Sequence, residues 1–182
     1  MKITFKRIKS GDPEIQKLKQ LYIRAFPAEE RAPFLLMLTR THRRNIDFWS
    51  LHCNYEWAGM LYVINYRDLS YIFYLALTEN MRGKGIGSAV LKAAHMHYKG
   101  RRLFLAIEQL EKSADNYSDR VRRRSFYLRN GFTAMGRKLQ EGKVVYEILG
   151  SGGDVLPEEY RSMMEKYAGH ILSKLFTMEF VD

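Results

Sequence analysis

The feature that most constrains this chain is a change of period near its middle. Tyr71 to Leu77 is an unbroken apolar run with the length of a buried strand. It leads into Arg82-Gly83-Lys84-Gly85-Ile86-Gly87-Ser88, after which Ile86, Ala89, Val90, Ala93, Ala94 and His97 recur on one helical face. A strand, a glycine-rich turn and a helix in that order present successive backbone N–H groups at a helix N-terminus. Unpaired donors and the helix dipole there both favour a phosphate. Arg82 and Lys84 add positive charge, while the glycines by themselves are equally consistent with a tight strand-to-helix turn. Spacing excludes two nucleotide loops. Ser88 and Val90 stand where the last glycine of G-x-G-x-x-G is needed, and no Gly-Lys-Ser/Thr closes a Walker loop.

The rest of the chain supplies strands and helices around that unit. Ile3 to Ile8 reads as a strand, and Asp12-Pro13 as a helix start, with Asp12 as N-cap, before Ile15, Leu18, Tyr22, Ala25 and Phe26 at helical spacing. A proline-bounded loop, Pro27 to Pro33, carries Glu29 and Glu30, and Leu35 to Arg40 forms a second short helix. Phe48–Cys53, Trp57–Asn65 and Ser70–Leu77 make an antiparallel meander. Arg102–Glu108 is a strand parallel to the last of these, Ser118–Arg129 a helix, and Phe132–Leu139 and Val144–Leu149 two closing strands. Gly150-Ser151-Gly152-Gly153 reads as a flexible joint to a terminal helix striped by Leu156, Tyr160, Met163, Met164, Tyr167, Ile171 and Leu175. That stripe suits three uses: covering an open sheet face, lidding a pocket, or a homodimer contact.

Composition narrows the class. A chain of 182 residues with 46% hydrophobic and 27% charged residues is large enough to bury a core without staples. Its one cysteine, Cys53, has no partner for a disulfide or a thiolate metal site, and His95 and His97 diverge too far on a helix to chelate one ion. No run is long and apolar enough to span a membrane, and the first residues contain no apolar signal core, so the reading is a cytoplasmic protein with no metal. Thirty Lys and Arg against twenty Asp and Glu give a net charge of +10, which points to a polyanionic partner such as nucleic acid or a phosphate-rich cofactor.

Arg82-Gly83-Lys84-Gly85-Ile86-Gly87 resembles the R/Q-x-x-G-x-G/A loop of GNAT-family N-acetyltransferases, and Phe126-Tyr127-Leu128-Arg129-Asn130-Gly131-Phe132 resembles that family's F-Y-x-x-x-G-F segment. The strand order from Ile3 to Leu149 fits as well. The resemblance implies an α/β (α+β) fold in a single domain, with a core over 1–149 and a linker and extra C-terminal helix over 150–182. Its sheet would be mixed, mostly antiparallel and seven-stranded, with the fourth and fifth strands splayed. It further implies acetyl-CoA as co-substrate and transfer to a primary amine by direct attack in a ternary complex.

Residue by residue, the resemblance assigns cofactor binding to Leu75, Ala76 and Leu77 and to Arg82, Gly83, Lys84, Gly85, Ile86, Gly87 and Ser88. The Leu77 N–H would polarise the thioester carbonyl. Tyr127 matches the position that supplies a general acid to the departing thiolate, and its structural alternative is an aromatic packed on the sheet. Glu108, closing its strand, is the expected general base, with Glu79 second. Glu29 and Glu30 would border the acceptor amine. One departure stands out: Arg120 occupies the position seven residues before the Tyr where the family often has Asn, and Asn116 is out of register. Two non-catalytic alternatives on the same fold are an acyl-CoA-binding protein and, less favoured, a nucleic-acid-binding protein.

Overall fold

The computed structural model describes residues 1–141, 144–169 and 178–181. They form two compact units, Met1–Asn65 with Ile72–His97, and Tyr66–Tyr71 with Tyr98–Asp182.

The first unit contains β1 (Ile3–Arg7), α1 (Ile15–Ala25), α2 (Phe34–Arg40), β2 (Ile46–Cys53), β3 (Glu56–Tyr66, whose last residue lies outside the unit), most of β4 (Leu69–Leu77) and α3 (Ile86–His97). β1 pairs antiparallel with β2 from Ile3↔Cys53 to Arg7↔Trp49, and β2 with β3 from Ile46↔Ile64 to Cys53↔Glu56. Asn54 (φ 48) and Tyr55 (φ 73) form the two-residue turn between β2 and β3, whose left-handed backbone matches the twist of the strands. β2 is buried on both faces because both are covered. Phe48 meets Phe34 of α2 at 6.2 Å between ring centroids, and the next residue, Trp49, meets His97 of α3 at 5.2 Å. His97 is therefore an aromatic packing partner. Cys53 is buried in the same strand.

Asp12 differs from its expected role. α1 begins at Ile15, and Asp12 instead closes the turn before it, its Oδ1 accepting from the Glu14 N–H at 2.9 Å. A short acceptor side chain bonding the backbone two residues on is the usual competitor of a cap.

The second unit contains the first residues of β4, then β5 (Arg102–Glu108), α4 (Tyr117–Arg129), β6 (Thr133–Glu141), β7 (Val144–Ser151), α5 (Pro157–Ala168) and β8 (Met178–Val181). β4 runs parallel to β5 through Leu69↔Arg102, Ser70↔Leu103 and Tyr71↔Phe104, where the pairing ends among the described residues. β5 continues antiparallel to β7 as far as Glu108↔Tyr146, and β6 pairs with both β7 and β8. Strand neighbours run β1-β2-β3-β4-β5-β7-β6-β8. Among the described residues the sheet thus has eight strands where seven were expected. Met178–Val181 adds the last, pairing Lys138↔Val181 to Glu141↔Met178, and a four-residue strand is too short to announce itself by period.

The expected joint at Gly150–Gly153 is also corrected. Gly150 and Ser151 belong to β7, and the end of the Met135 side chain fills the space where a Cβ on Gly150 would stand. Arg102 then ties the following turn down, donating to Asp68 at 2.7 and 2.8 Å, to Glu159 of α5 at 2.8 and 2.9 Å and to the Asp154 carbonyl at 2.7 Å. Tyr160, Met163, Met164 and Tyr167 of the terminal stripe are buried, and Tyr160 packs edge-on against Tyr71 and Phe104 at 5.9 and 6.4 Å. Of the three uses expected for the stripe, this part of it covers a sheet face. Ile171 and Leu175 lie outside the described residues.

Candidate functional site

In the first unit the loop after β4 is hung between two apolar anchors. Met81 and Ile86 are buried, while Arg82, Gly83, Lys84 and Gly85 between them are exposed. Gly83 (φ +73) and Gly85 (φ +75) adopt left-handed backbone, and a Cβ on either would meet nothing within 4 Å. Backbone conformation and open access, rather than crowding, therefore call for glycine here. The Ala89 N–H donates to the Gly85 carbonyl at 3.1 Å. The N–H groups of Ile86, Gly87 and Ser88 precede it in the first turn and have no carbonyl four residues back within the helix. Arg82 folds back, Nε donating to the Leu77 carbonyl at 3.1 Å, and so fixes the loop to the end of β4. An exposed helix N-terminus with free donors, two left-handed glycines and two cations is built to hold an anion.

The end of β4 is positioned by a glycine of β3. Gly59 of β3 lies so close to β4 that a Cβ would run into the Ala76 carbonyl oxygen and come within 2.9 Å of the Leu77 Cα. Beside it, the Thr78 N–H donates to the Ala58 carbonyl at 2.9 Å. An isolated glycine inside a strand pattern is the signal that could have found it. Along β4, Tyr74 and Ala76 are buried, whereas Phe73, Leu75 and Leu77 remain half-buried on the opposite face.

Glu29 and Glu30 ride on a short 3₁₀ turn, Ala28–Glu30, whose backbone is pinned by two tyrosines. Tyr74 Oη donates to the Glu30 carbonyl at 2.8 Å and accepts from the Ala32 N–H at 2.9 Å, and Tyr22 Oη donates to the Ala32 carbonyl at 3.0 Å. The two rings meet edge to face at 4.9 Å. The loop therefore has a fixed backbone, with Glu29 exposed and Glu30 half-buried. Glu79, directly after β4, is exposed.

In the second unit Tyr127 sits in the last turn of α4. The helix stops because Asn130 folds its Nδ2 onto the Phe126 carbonyl at 2.7 Å and Gly131 takes a left-handed φ of 87. Tyr127 is 9% exposed and packs against Phe126 and Phe132 at 5.1 and 5.8 Å. Burial pushes its phenol up to about 12, with Arg123 pulling in the opposite direction.

Glu108, at the end of β5, is also 9% exposed. Its Oε1 faces Arg120 Nη2 at 2.7 Å and its Oε2 faces Arg123 Nη1 at 3.1 Å, with Asn116 Nδ2 at 3.4 and 3.5 Å. Arg120 is held from three sides, since Nε donates to Asn116 Oδ1 at 2.7 Å and Nη1 to the Gln109 carbonyl at 2.8 Å. Arg124 binds Glu147 of β7 through two bonds of 2.7 and 3.0 Å. Arg120, Arg122, Arg123 and Arg124 of α4 each face a carboxylate, Arg122 and Arg123 from exposed positions. Among the described residues no group of three His, Cys, Asp or Glu could hold a metal, and no helix is long and apolar enough to cross a membrane.

Residues 44–134, half of the chain, match the sequence model of the acetyltransferase (GNAT) domain. No curated protein sequence matches the chain. Among solved structures, a GNAT-family protein from Bacteroides thetaiotaomicron superposes with a TM-score of 0.72 at 20% identity, covering 93% of this chain and 98% of that one. The PaiA N-acetyltransferase of Thermoplasma acidophilum, in complex with coenzyme A, gives 0.56 at 18% identity over 84% of this chain and 100% of its own. A ribosomal-protein alanine N-acetyltransferase from Escherichia coli gives 0.61 at 15% identity over 86% and 97%.

Proposed function

This chain belongs to the GNAT family of acetyltransferases, and on that premise we propose that it transfers the acetyl group of acetyl-CoA to a primary amine by direct attack within a ternary complex. The observation that carries the cofactor half is the exposed loop from Arg82 to Gly85 with the helix N-terminus that follows it. Its left-handed glycines and the free N–H groups of Ile86, Gly87 and Ser88 suit a pyrophosphate, and Arg82 and Lys84 supply charge. The coenzyme A held by the Thermoplasma neighbour supports the same choice of ligand.

Bound acetyl-CoA supplies a thioester, whose acyl carbon gains a bond to the acceptor nitrogen as its bond to sulfur breaks. The residues of this chain do the rest. Backbone groups of Leu75, Ala76 and Leu77 align the acyl arm, and the Leu77 N–H donates to the carbonyl oxygen as negative charge develops there. Gly59 supports that role by holding Ala76 and Leu77 against β3. Tyr127 gives its phenolic proton to the departing sulfur and regains one from water. A buried phenol pushed up to about 12 stays protonated at neutral pH and so is available as an acid. Glu29 and Glu30, on their pinned turn, hold the acceptor in its cationic form before it reacts. An alkyl ammonium has a pKa near ~10.4 and must lose its proton to attack. Glu79, exposed two residues after Leu77, takes that proton through water.

Calorimetric titration with acetyl-CoA, beside coenzyme A and ADP, tests the cofactor half. Thiol release with a polyamine, an aminoglycoside and a lysine peptide tests the transfer. Saturable one-site binding and thiol release with at least one amine are expected. Absence of binding at millimolar acetyl-CoA would reduce the loop to a plain turn, and binding without transfer to any amine would favour an acyl-CoA-binding protein.

A further inference from the structure

Glu108 is the carboxylate from which the sequence leads one to expect base chemistry, yet its surroundings do not suit a base. A base needs an open lone pair aimed at the proton it takes. Here each carboxylate oxygen faces a guanidinium, at 2.7 Å from Arg120 and 3.1 Å from Arg123. Protonating Glu108 would also leave two cations side by side without their shared anion. The two arginines differ in a telling way. The Arg120 side chain is 14% exposed and anchored by Asn116 and the Gln109 carbonyl, so it fixes Glu108 in place. The Arg123 side chain is 44% exposed, and its ion pair is with Glu108. Arg123 precedes Tyr127 by four residues on α4, which puts both on one face of the helix.

We infer that Glu108 is a positioning residue, whose carboxylate seats the Arg123 guanidinium along the Tyr127 face of α4 so that its positive charge favours loss of the phenolic proton. The inference rests on the reading of Tyr127 as the acid. In that step the proton leaves Oη for the sulfur, and the carbon–sulfur electron pair stays on sulfur. The transient tyrosinate is reprotonated by water, and neither Arg123 nor Glu108 changes its own charge. The need for a cation follows from the acidities. A phenol pushed up to about 12 is a weaker acid than a thiol of pKa near ~8.5, so the transfer is uphill, and a neighbouring cation narrows the gap. Among the described residues, the ion pairs on this part of α4 join Arg120 and Arg123 to Glu108 on β5, and Arg124 to Glu147 on β7.

The test has a readout that needs no acceptor. Ionisation of Tyr127 is followed by carbon-13 NMR of ring-labelled tyrosine, assigned with Tyr127→Phe, up to the highest pH at which the protein stays folded. Arg123→Gln is expected to lower the fraction ionised at that pH by roughly three- to tenfold and Arg123→Lys to preserve it; Glu108→Gln, whose lost negative charge would by itself raise ionisation, is expected to lower it all the same, because the unseated Arg123 swings into solvent. The double variant should show no more than either single one, because both act through one guanidinium. With whichever amine of the panel is accepted, kcat should fall by about three- to tenfold in each variant, with KM for acetyl-CoA unchanged and the acid limb of the pH profile retained. An unmoved Tyr127 titration overturns the inference whatever the activity. A loss beyond ~100-fold in Glu108→Gln, with disappearance of the acid limb, overturns it in favour of a base. If the titration moves while Tyr127→Phe leaves kcat intact, the positioning stands and the acid reading fails instead.

Discussion

The loop after β4 and the last turn of α4 solve opposite problems. The loop works through backbone: its central residues are exposed, its glycines are left-handed, and the groups it offers are N–H donors that the helix itself cannot use. The turn of α4 works through a side chain: Tyr127 is buried against Phe126 and Phe132, and Arg123, four residues before it, is paired with Glu108, which Arg120 also holds. A phosphate needs many weak donors and room to approach, whereas a proton donor needs one group held in a fixed, water-poor setting. The first demand is met by removing side chains and the second by packing them.

Gly85→Glu tests the backbone side of this contrast most severely. It places bulk, a left-handed backbone penalty and a negative charge where the phosphate would lie, so acetyl-CoA binding should vanish from calorimetry while the fold survives. Undiminished binding would mean that the loop is not the anion site. Tyr127→Phe probes the other side, and kcat should fall by about 10- to 10³-fold with little change in acetyl-CoA affinity. Equal losses in both quantities would blur the distinction between holding and reacting.

A third expectation concerns stability. The Tyr127 phenol titrates near ~10 in an unfolded chain and about 12 when folded, so the folded state holds the extra proton between those values. Its contribution is therefore intact below about pH 10 and is lost as pH rises toward about 12, amounting to roughly 2 to 3 kcal/mol when complete. Denaturation of the wild type and Tyr127→Phe at a series of alkaline pH values should reveal that slope only in the former. The last expectation concerns Gly59→Ala. It drives a Cβ into the Ala76 carbonyl oxygen, on a backbone conformation that side chains rarely adopt, and should cost about 3 kcal/mol or more, read as a lower Tm, with a loss of kcat if the Leu77 N–H is displaced. An unchanged Tm would show that β4 has slack at its end.

Much of the architecture was legible because period and punctuation are local. The strands of the meander, the helix from Ile86 to His97 and the Arg102–Glu108 strand all lie where hydrophobic spacing and turn residues predicted them. The glycine loop was legible for the same reason, since a strand, glycines and a helix in succession dictate where free N–H groups occur. What escaped depended on partners distant in the chain. Gly59 marks itself in the sequence only as an isolated strand glycine, and the structure alone shows that Ala76 lies across from it; Met178–Val181 becomes a strand only by pairing with β6.

Glu108 shows the division most clearly. Its residue type and its place at the end of an apolar strand follow from the sequence alone, and together they suggest a base. Arg120 and Arg123 stand 12 and 15 residues further on, in a helix whose face toward β5 is set by packing. Chain order thus determined where backbone donors would be free, because a helix N-terminus is a local object. Only the tertiary structure decided which charges face one another, because ion pairing depends on distances that sequence separation does not encode.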